Sequence, residues 1–459
     1  MNIISKISKI VPIIMLAFIF LACSNDDDNT PAPMQSNIVE LASATADLSS
    51  LVAALQAADG DLVSVLSGAG PFTVLAPSNA AFQALLDSNP AWNTIADIDT
   101  AVLSQVLLNH VISGSVTSSD LTAGGAGYAR TNASGAGGAN LSIFYDTSNG
   151  VRFNNVSSVT TPDVEAPNGV VHLVDAVIGL PNIVDHAVAN PDLSELVGAL
   201  TAGGNTTFTD LLATPGDFTV FAPVNSAFTG FTNPNGNDIN DILSNHVIVG
   251  ASALLTGLSN AYLNTAATNG DGDALSIYIN TDDGVTLNGT SNVAAADIVA
   301  TNGIIHAVDA VIDLPSVVTF ATADPTFGTL VTALTRADLT FDYVTTLSSE
   351  GPFTVFAPIN EAFTDLLTEL GVESLGDIDE PTLKATLDHH AVAGLNVRAE
   401  DLTDAFTVPT LGGDITANVT GGATLTDAND RVSNIIATNV QAINGVIHAI
   451  DKVVLPPLE

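Results

Sequence analysis

With 459 residues, the chain has length for about three ordinary domains, each able to bury its own core. Apolar residues make up 46% and charged ones only 13%, a balance that excludes an intrinsically disordered chain. The charge is one-sided, 49 acidic against 9 basic residues, so the surface repels nucleic-acid phosphates and anionic lipid headgroups, and neither is an expected partner. Cations, basic proteins and neutral glycans remain compatible with it, and the charge also serves solubility.

Residues 1–22 carry Lys6 and Lys9, then an apolar run over 10–22 broken only by Pro12. That is the layout of a secretory signal peptide, too short for a comfortable membrane span. It ends in Phe20-Leu21-Ala22-Cys23, which resembles the bacterial lipobox, where the Cys is lipidated and the leader is cut before it. Cys23 is the single cysteine of the chain, so no disulfide competes for it. Residues 23–36 continue with Asp26-Asp27-Asp28 and Pro31-Ala32-Pro33, a solvated tether. An acidic run after the lipidated Cys also resembles the export signal of bacterial surface lipoproteins. The expectation is an outer-membrane, lipid-anchored protein facing the extracellular side, with the membrane as partner through that anchor.

From about residue 36 one pattern is written three times. Its opening segment is GPFTVLAPSNAAF at 70–82, GDFTVFAPVNSAF at 216–228 and GPFTVFAPINEAF at 351–363. The Phe-Thr-Val run predicts a buried strand ended by Pro77, Pro223 or Pro358, which cannot donate to a ladder. Asn79, Asn225 and Asn360 then stand where a side-chain oxygen caps the first N–H groups of a helix. Next comes a helix over 99–113, with Leu103, Val106, Leu107 and His110 on one face, Asp99 at its start and Gly114 just past its end. It recurs with His246 and Gly250, and with His390 and Gly394. A β-hairpin follows, turning at Asn149-Gly150, Asp283-Gly284 or Gly421-Gly422. Each repeat closes on NGVVHLVDAVIGLP (168–181), NGIIHAVDAVIDLP (302–315) or NGVIHAIDKVVLPP (444–457), a turn and an apolar strand stopped by Pro. The period of about 135 to 146 residues far exceeds the roughly 20–50 of a solenoid, so the repeats read as beads on a string, at 37–181, 182–315 and 316–459. The second is shorter after its opening segment, by a helical turn or a short helix.

The FTVFAP-x-N-x-AF segment, the helix ending in His-x-x-x-Gly and the closing NG-x-x-H-x-x-D-x-V-x-LP resemble the two homology boxes and the middle helix of fasciclin domains, in all three repeats. The resemblance implies an α+β fold: three tandem fasciclin domains, each a wedge-shaped β-sandwich of roughly seven strands with several flanking α-helices. It further implies an extracellular, surface-anchored protein associated with cell adhesion, matrix or glycan contact, and no general enzymatic activity. Animal members implicated in integrin binding resemble one another in a Tyr-His pair at the helix histidine. Here the preceding residue is Asn109, Asn245 or His389, so that interaction is not carried over.

The repeat histidines invite a metal or catalytic reading. His110, His246 and His390 lie on apolar helix faces, however, and His172, His306 and His448 inside apolar strands, so all six read as neutral structural pins. The closing His-x-x-Asp places its two members on opposite faces of a strand, which rules out a simple dyad. No Cys or close His pair supplies a zinc site, no G-x-S-x-G elbow is present, and the expectation is no cofactor, no metal and no enzyme. The Asn269-Gly270-Asp271-Gly272-Asp273 stretch resembles a calcium loop only faintly, lacking the spaced ligands of an EF-hand. Tyr128, Tyr145, Tyr262, Tyr278 and Trp92 are candidate glycan-stacking aromatics, although single aromatics in strands are usually core. The expected function is adhesion or matrix contact through three modules, with a glycan-binding accessory lipoprotein as the alternative. The variable loops between the shared segments are the expected binding surface for a protein or glycan partner.

Overall fold

The two segments shared by all repeats lie side by side at the centre of each domain. The computed structural model describes residues 36–204 and 206–457, so Cys23, the signal peptide and the tether up to residue 35 fall outside it. In the first domain β1 (Phe72–Pro77) pairs in parallel with β7 (Gly169–Val174), with Val74 opposite Val171 and Leu75 opposite His172. The same pairing joins Phe218–Pro223 to Gly303–Val308 and Phe353–Pro358 to Gly445–Ile450. The Gly of the closing Asn-Gly is required by this contact, because a Cβ on Gly169 would stand 1.9 Å from the Phe72 carbonyl oxygen.

Around this pair run β2 (Val111–Ser113), β3 (Ala126–Ser134), β4 (Asn140–Asp146), β5 (Arg152–Phe153) and β6 (Ser157–Ala166), each antiparallel to its neighbours. One bridge, Ile112 opposite Thr131, closes the seven strands of the first domain into a ring. The other two domains repeat the strand order as open seven-stranded sheets. Helices flank the sheet, so the class is α+β with three copies of one domain.

Strand alternation builds two cores per domain. Val74 and Ala76 point to the helices, where Ile38, Leu51, Leu55, Phe82, Leu103 and Leu107 cover them. Leu75 points the other way, into a cluster with Ile112, Ile143, Phe153 and Val174. Val220 and Ala222 against Phe221, and Val355 and Ala357 against Phe356, divide in the same manner. At about 25 cal/mol per Å² of apolar surface, these paired cores are the main source of stability.

Three expectations require correction. The middle helix is shorter than its sequence pattern and ends at Leu108, where Asn109 caps it. His110 therefore sits in the turn into β2, and Gly114, at φ 101°, ends that strand instead of the helix. The corresponding helices end at Ser244 and Asp388. Apolar residues continue past the helix because β2 is also buried, which hides the boundary in the sequence. Asn79, Asn225 and Asn360 do not cap their own helices; each is the first helical residue, and the N-cap positions are Ser78, Val224 and Ile359. The Asn side chain instead caps a neighbour: Asn79 Oδ1 accepts from Ser50 N at 2.8 Å, and its Nδ2 donates to Ala46 O at 3.0 Å. Asn225 and Asn360 hold Glu195 N with Pro191 O, and Thr329 N with Pro325 O, in the same geometry. The second domain is shortened as expected: its helix Asn225–Gly230 replaces the longer Asn79–Asp87 and Asn360–Leu370, and no counterpart of the 3-10 turns Ile95–Asp97 and Leu375–Asp377 intervenes.

The third correction concerns assembly: the domains are stacked, not strung. No free linker exists, since Pro181 is followed at once by the N-cap Asn182 and Pro315 by the N-cap Ser316. The Pro carbonyls are fixed by the domain they lead into, accepting from Thr301 N at 2.9 Å and Ile443 N at 2.8 Å. Each junction then buries a strand of one domain against a strand of the next.

Candidate functional site

Five of the six repeat histidines are held by the backbone at both ring nitrogens, and His448 at one. His110 Nε2 accepts from Ile178 N at 2.9 Å, so the proton sits on Nδ1, 2.7 Å from the Val106 carbonyl oxygen. His246 bridges Ile242 O and Ile312 N, and His390 bridges Thr386 O and Val454 N, with the same tautomer. Burial lowers all three pKa values from 6.5 to about 4, outweighing the opposing pull of the carbonyl bond. His172 and His306 carry the opposite tautomer. Their Nε2–H donates to Val116 O at 2.9 Å and Ala253 O at 3.0 Å, while Nδ1 accepts from Asp163 N and Asp297 N. His448 donates to Val397 O at 2.9 Å, and its Nδ1 makes no protein hydrogen bond. Each ring clamps the end of one strand to a loop, and in all but His448 both ring nitrogens are taken by the backbone.

The closing Asp residues are also bound to backbone: Asp175, Asp309 and Asp451 each accept from a β-strand N–H at 2.7 Å, from Ser158, Asn292 and Asn434. Sequence reasoning missed the Asn of the closing Asn-Gly. Asn168 accepts from Ile38 N and donates to Leu66 O and Gly68 O, tying the first helix and the third to the sheet. Asn302 and Asn444 make the same three bonds. Its presence in all three repeats was the available signal; reading the dipeptide as a turn concealed it.

The candidate ligand loops serve the junctions. Asn269 Oδ1 turns inward to accept from Asp271 N and Asp273 N, and Asp273 lies 3.4 Å from the guanidinium of Arg398 in the third domain. Tyr128 packs on His186 at 5.6 Å between ring centres, and Tyr262 on Phe320 at 5.4 Å. Tyr278 is buried against Tyr262, while Tyr145 and Trp92 are half-buried. The hairpin tips, expected to be free for binding, are thus partly consumed in holding the domains together. In the second domain an apolar hollow lies between the helices and the sheet, lined by Ile183, Leu196, Phe208, Val220 and Ile305. Thr201, Thr209 and His246 stand at its wall, but the surface it exposes is almost wholly apolar, with little to orient a polar ligand.

The few cations are likewise turned inward. Arg336 donates to the carbonyls of Leu375 and Ile378, and Arg431 joins Asp427 and Glu369 while donating to Val453 O. Arg130 donates to Asp297 O across the first junction, and Lys384 pairs with Asp388 at 2.6 Å. What remains outward is a surface dominated by carboxylates. Among the described residues, no three His, Cys, Asp or Glu side chains converge as a metal site would need. No helix of the described residues is long and apolar enough to cross a membrane by itself.

The fasciclin domain model matches residues 46–181, 191–315 and 325–456. The chain is 26% identical to human periostin over 444 residues, covering 94% of this chain and 48% of periostin, so it spans about half the length of that relative. It is 29% identical to the transforming growth factor-beta-induced protein ig-h3 of Sus scrofa over 322 residues, 65% of this chain and 43% of that protein. A single domain's length, 143 residues, is 36% identical to protein sll1483 of Synechocystis, 31% of this chain and 74% of that one. Among solved structures, a FAS1 domain pair from the insect cell adhesion molecule fasciclin I aligns with 58% of this chain and 97% of its own at 20% identity and a TM-score of 0.39. With its three matches spanning nearly the whole described chain, the protein belongs to the fasciclin-domain family.

Proposed function

We propose that the protein is a surface-displayed lipoprotein that mediates cell adhesion or matrix contact through its three stacked fasciclin domains. The observation that carries this reading is the repeated junction: one chain presents three related acidic surfaces at fixed spacing. Such an array raises avidity for a multivalent partner without any single tight site. The leader ending in Leu21-Ala22-Cys23 supports a lipid anchor, and the acidic tether supports display on the extracellular side. The polar side chains of the shared segments are engaged with backbone, which supports a passive binding role over a catalytic one.

A basic protein surface is the partner class favoured by an exterior of carboxylates. The glycan reading has less support, because Tyr128, Tyr262 and Tyr278 are packed in or beside the junctions. The test is attachment of cells carrying the intact protein to surfaces coated with basic matrix proteins, with Cys23→Ser as the released control. Loss of attachment with Cys23→Ser, and its weakening by salt, is the expected result. Attachment to one defined polysaccharide that is indifferent to salt would favour the glycan reading instead.

A further inference from the structure

The two junctions are the same contact used twice. In the first, Val299 N donates to the buried Ser142 Oγ at 2.9 Å; in the second, Gln441 N donates to the buried Ser276 Oγ at 3.0 Å. A tyrosine lies beside each serine, Tyr128 meeting His186 and Asn190, and Tyr262 meeting Phe320 and Asp324. A face on the β3–β4 side of one domain therefore meets a face on the helix side of the next. This is a heterologous contact, and nothing in such a contact ends the series by itself: a second copy could continue it indefinitely.

Strand register identifies what stands at the two free ends. Ser142 and Ser276 lie three residues before the positions paired with Phe153 and Leu287; counting back from Ala417, paired with Leu425, gives Asp414 in the third domain. Val299 and Gln441 follow the residues paired with Ile305 and Ile447; the residue following Val164, paired with Val171, is Glu165 in the first domain. Both carboxylates are exposed, whereas Val299 and Gln441 are 0% and 1% exposed within their junctions. The tyrosine position becomes Thr407, and the hairpin tip that spans residues 135–139 and 269–273 at the junctions shrinks to Leu411-Gly412. Joining two copies end to end would place Glu165 opposite Asp414, two like charges in a contact that otherwise excludes water.

We propose that Glu165 and Asp414 are stop residues that keep copies of the chain from assembling head to tail through the outer faces of the first and third domains. Solenoid proteins close their ends with polar capping repeats for the same physical reason. The inference stands whatever the surface binds.

The test is sedimentation velocity of the full chain at about 0.5 M salt, where a screening length of roughly 4 Å removes the repulsion between whole acidic molecules. The variants are Glu165→Val, Asp414→Ser and the double substitution, which install the residues found at the working junction of the first and second domains. All replace exposed side chains, and circular dichroism checks that the fold is kept. The unaltered chain is expected to stay at monomer mass. The double variant should assemble with rising concentration into multiples of it, each single variant at least tenfold more weakly, because one buried carboxylate remains. An unaltered chain that assembles, a double variant that stays monomeric, or single variants that assemble as tightly as the double would each overturn the proposal.

Discussion

The hydroxyl of Tyr262, in the second domain, donates to the carboxylate of Asp324, in the third, at 2.9 Å. Asp324 is 6% exposed and also accepts from Thr326 N and Oγ1, so three hydrogen bonds satisfy its oxygens in the junction. Burial and the neighbouring carboxylate push the Tyr262 pKa above its ordinary value, so the phenol is protonated and always the donor. Tyr262→Phe removes one donor from a buried anion, and a loss of about 1–3 kcal/mol is expected in urea unfolding. At the first junction Tyr128 meets the neutral Asn190 at 3.3 Å, and Tyr128→Phe is expected to cost less. Equal losses at the two positions would show that the bond to the Asp324 carboxylate is worth no more than the contact with Asn190.

Asn360 gives a test of capping between helices. Its Oδ1 accepts from Thr329 N at the start of the Gly328–Leu334 helix, whose own N-cap, Phe327, has no side-chain acceptor. Asn360→Ala is expected to cost about 1 kcal/mol, within the range of a lost N-cap. Hydrogen exchange locates the loss: amides near Thr329 should lose protection while those of Asn360–Leu370 keep theirs. Faster exchange confined to the latter helix would return Asn360 to the role its sequence position suggests.

The domain count, the central strands and the core alternation were legible because Phe-Thr-Val-Phe-Ala-Pro and the closing strand pattern directly encode burial and strand ends. Roles fixed by partners distant in sequence were not. Asn79 sits where a cap of its own helix belongs, yet the acceptor it offers is taken by Ser50, 29 residues earlier. The junctions were hidden more deeply, since Ser142 and Val299 are 157 positions apart and neither is unusual in a strand. Their only trace is a difference between repeats: Glu165 and Asp414 stand where the inner faces carry Val299 or Gln441 and Ser142 or Ser276. Such a contrast acquires meaning once the register of every strand is known.

Acid should unfold the protein well before its carboxylates are titrated. His110, His186, His246 and His390 have pKa values of about 4 in the folded state against 6.5 when free, burial being the main cause in each. Between those two values the unfolded chain binds protons that the folded chain refuses, so stability falls as pH drops from 6.5 and levels off below about 4. Each ring contributes about 3 kcal/mol to this loss. Carboxylates whose pKa is lowered in the fold, such as Glu400 at about 2 beside Arg398, withdraw their stabilisation lower still, as pH falls from the ordinary value through the folded one. Urea unfolding at a series of pH values reads the slope. His246→Gln should flatten the curve between pH 6.5 and 4 while lowering stability at neutral pH, since Ile242 O and Ile312 N lose their partner geometry. A curve of unchanged steepness would mean that this ring is not neutral in the fold.

Val299 decides whether the first two domains behave as one body. It is fully buried between Leu141, Ala133 and Ala136 of the first domain and Ile304 of its own. Its N–H holds Ser142, and Arg130 reaches over the same strand to Asp297 O. Val299→Asp places an unpaired carboxylate in that apolar cluster, a change whose penalty is several kcal/mol if the contact persists. Opening the junction relieves it, because Glu165 occupies the equivalent place on the free end of the first domain without burial. The expected outcome is separation of the domains without loss of their folds: calorimetry should resolve a new transition, and Tyr128 should become accessible to solvent quenchers. Val299→Ala, which keeps the N–H and adds no charge, should leave the transitions joined and cost about 1–3 kcal/mol. A single transition in Val299→Asp at unchanged temperature would show that the domains were never coupled through this strand.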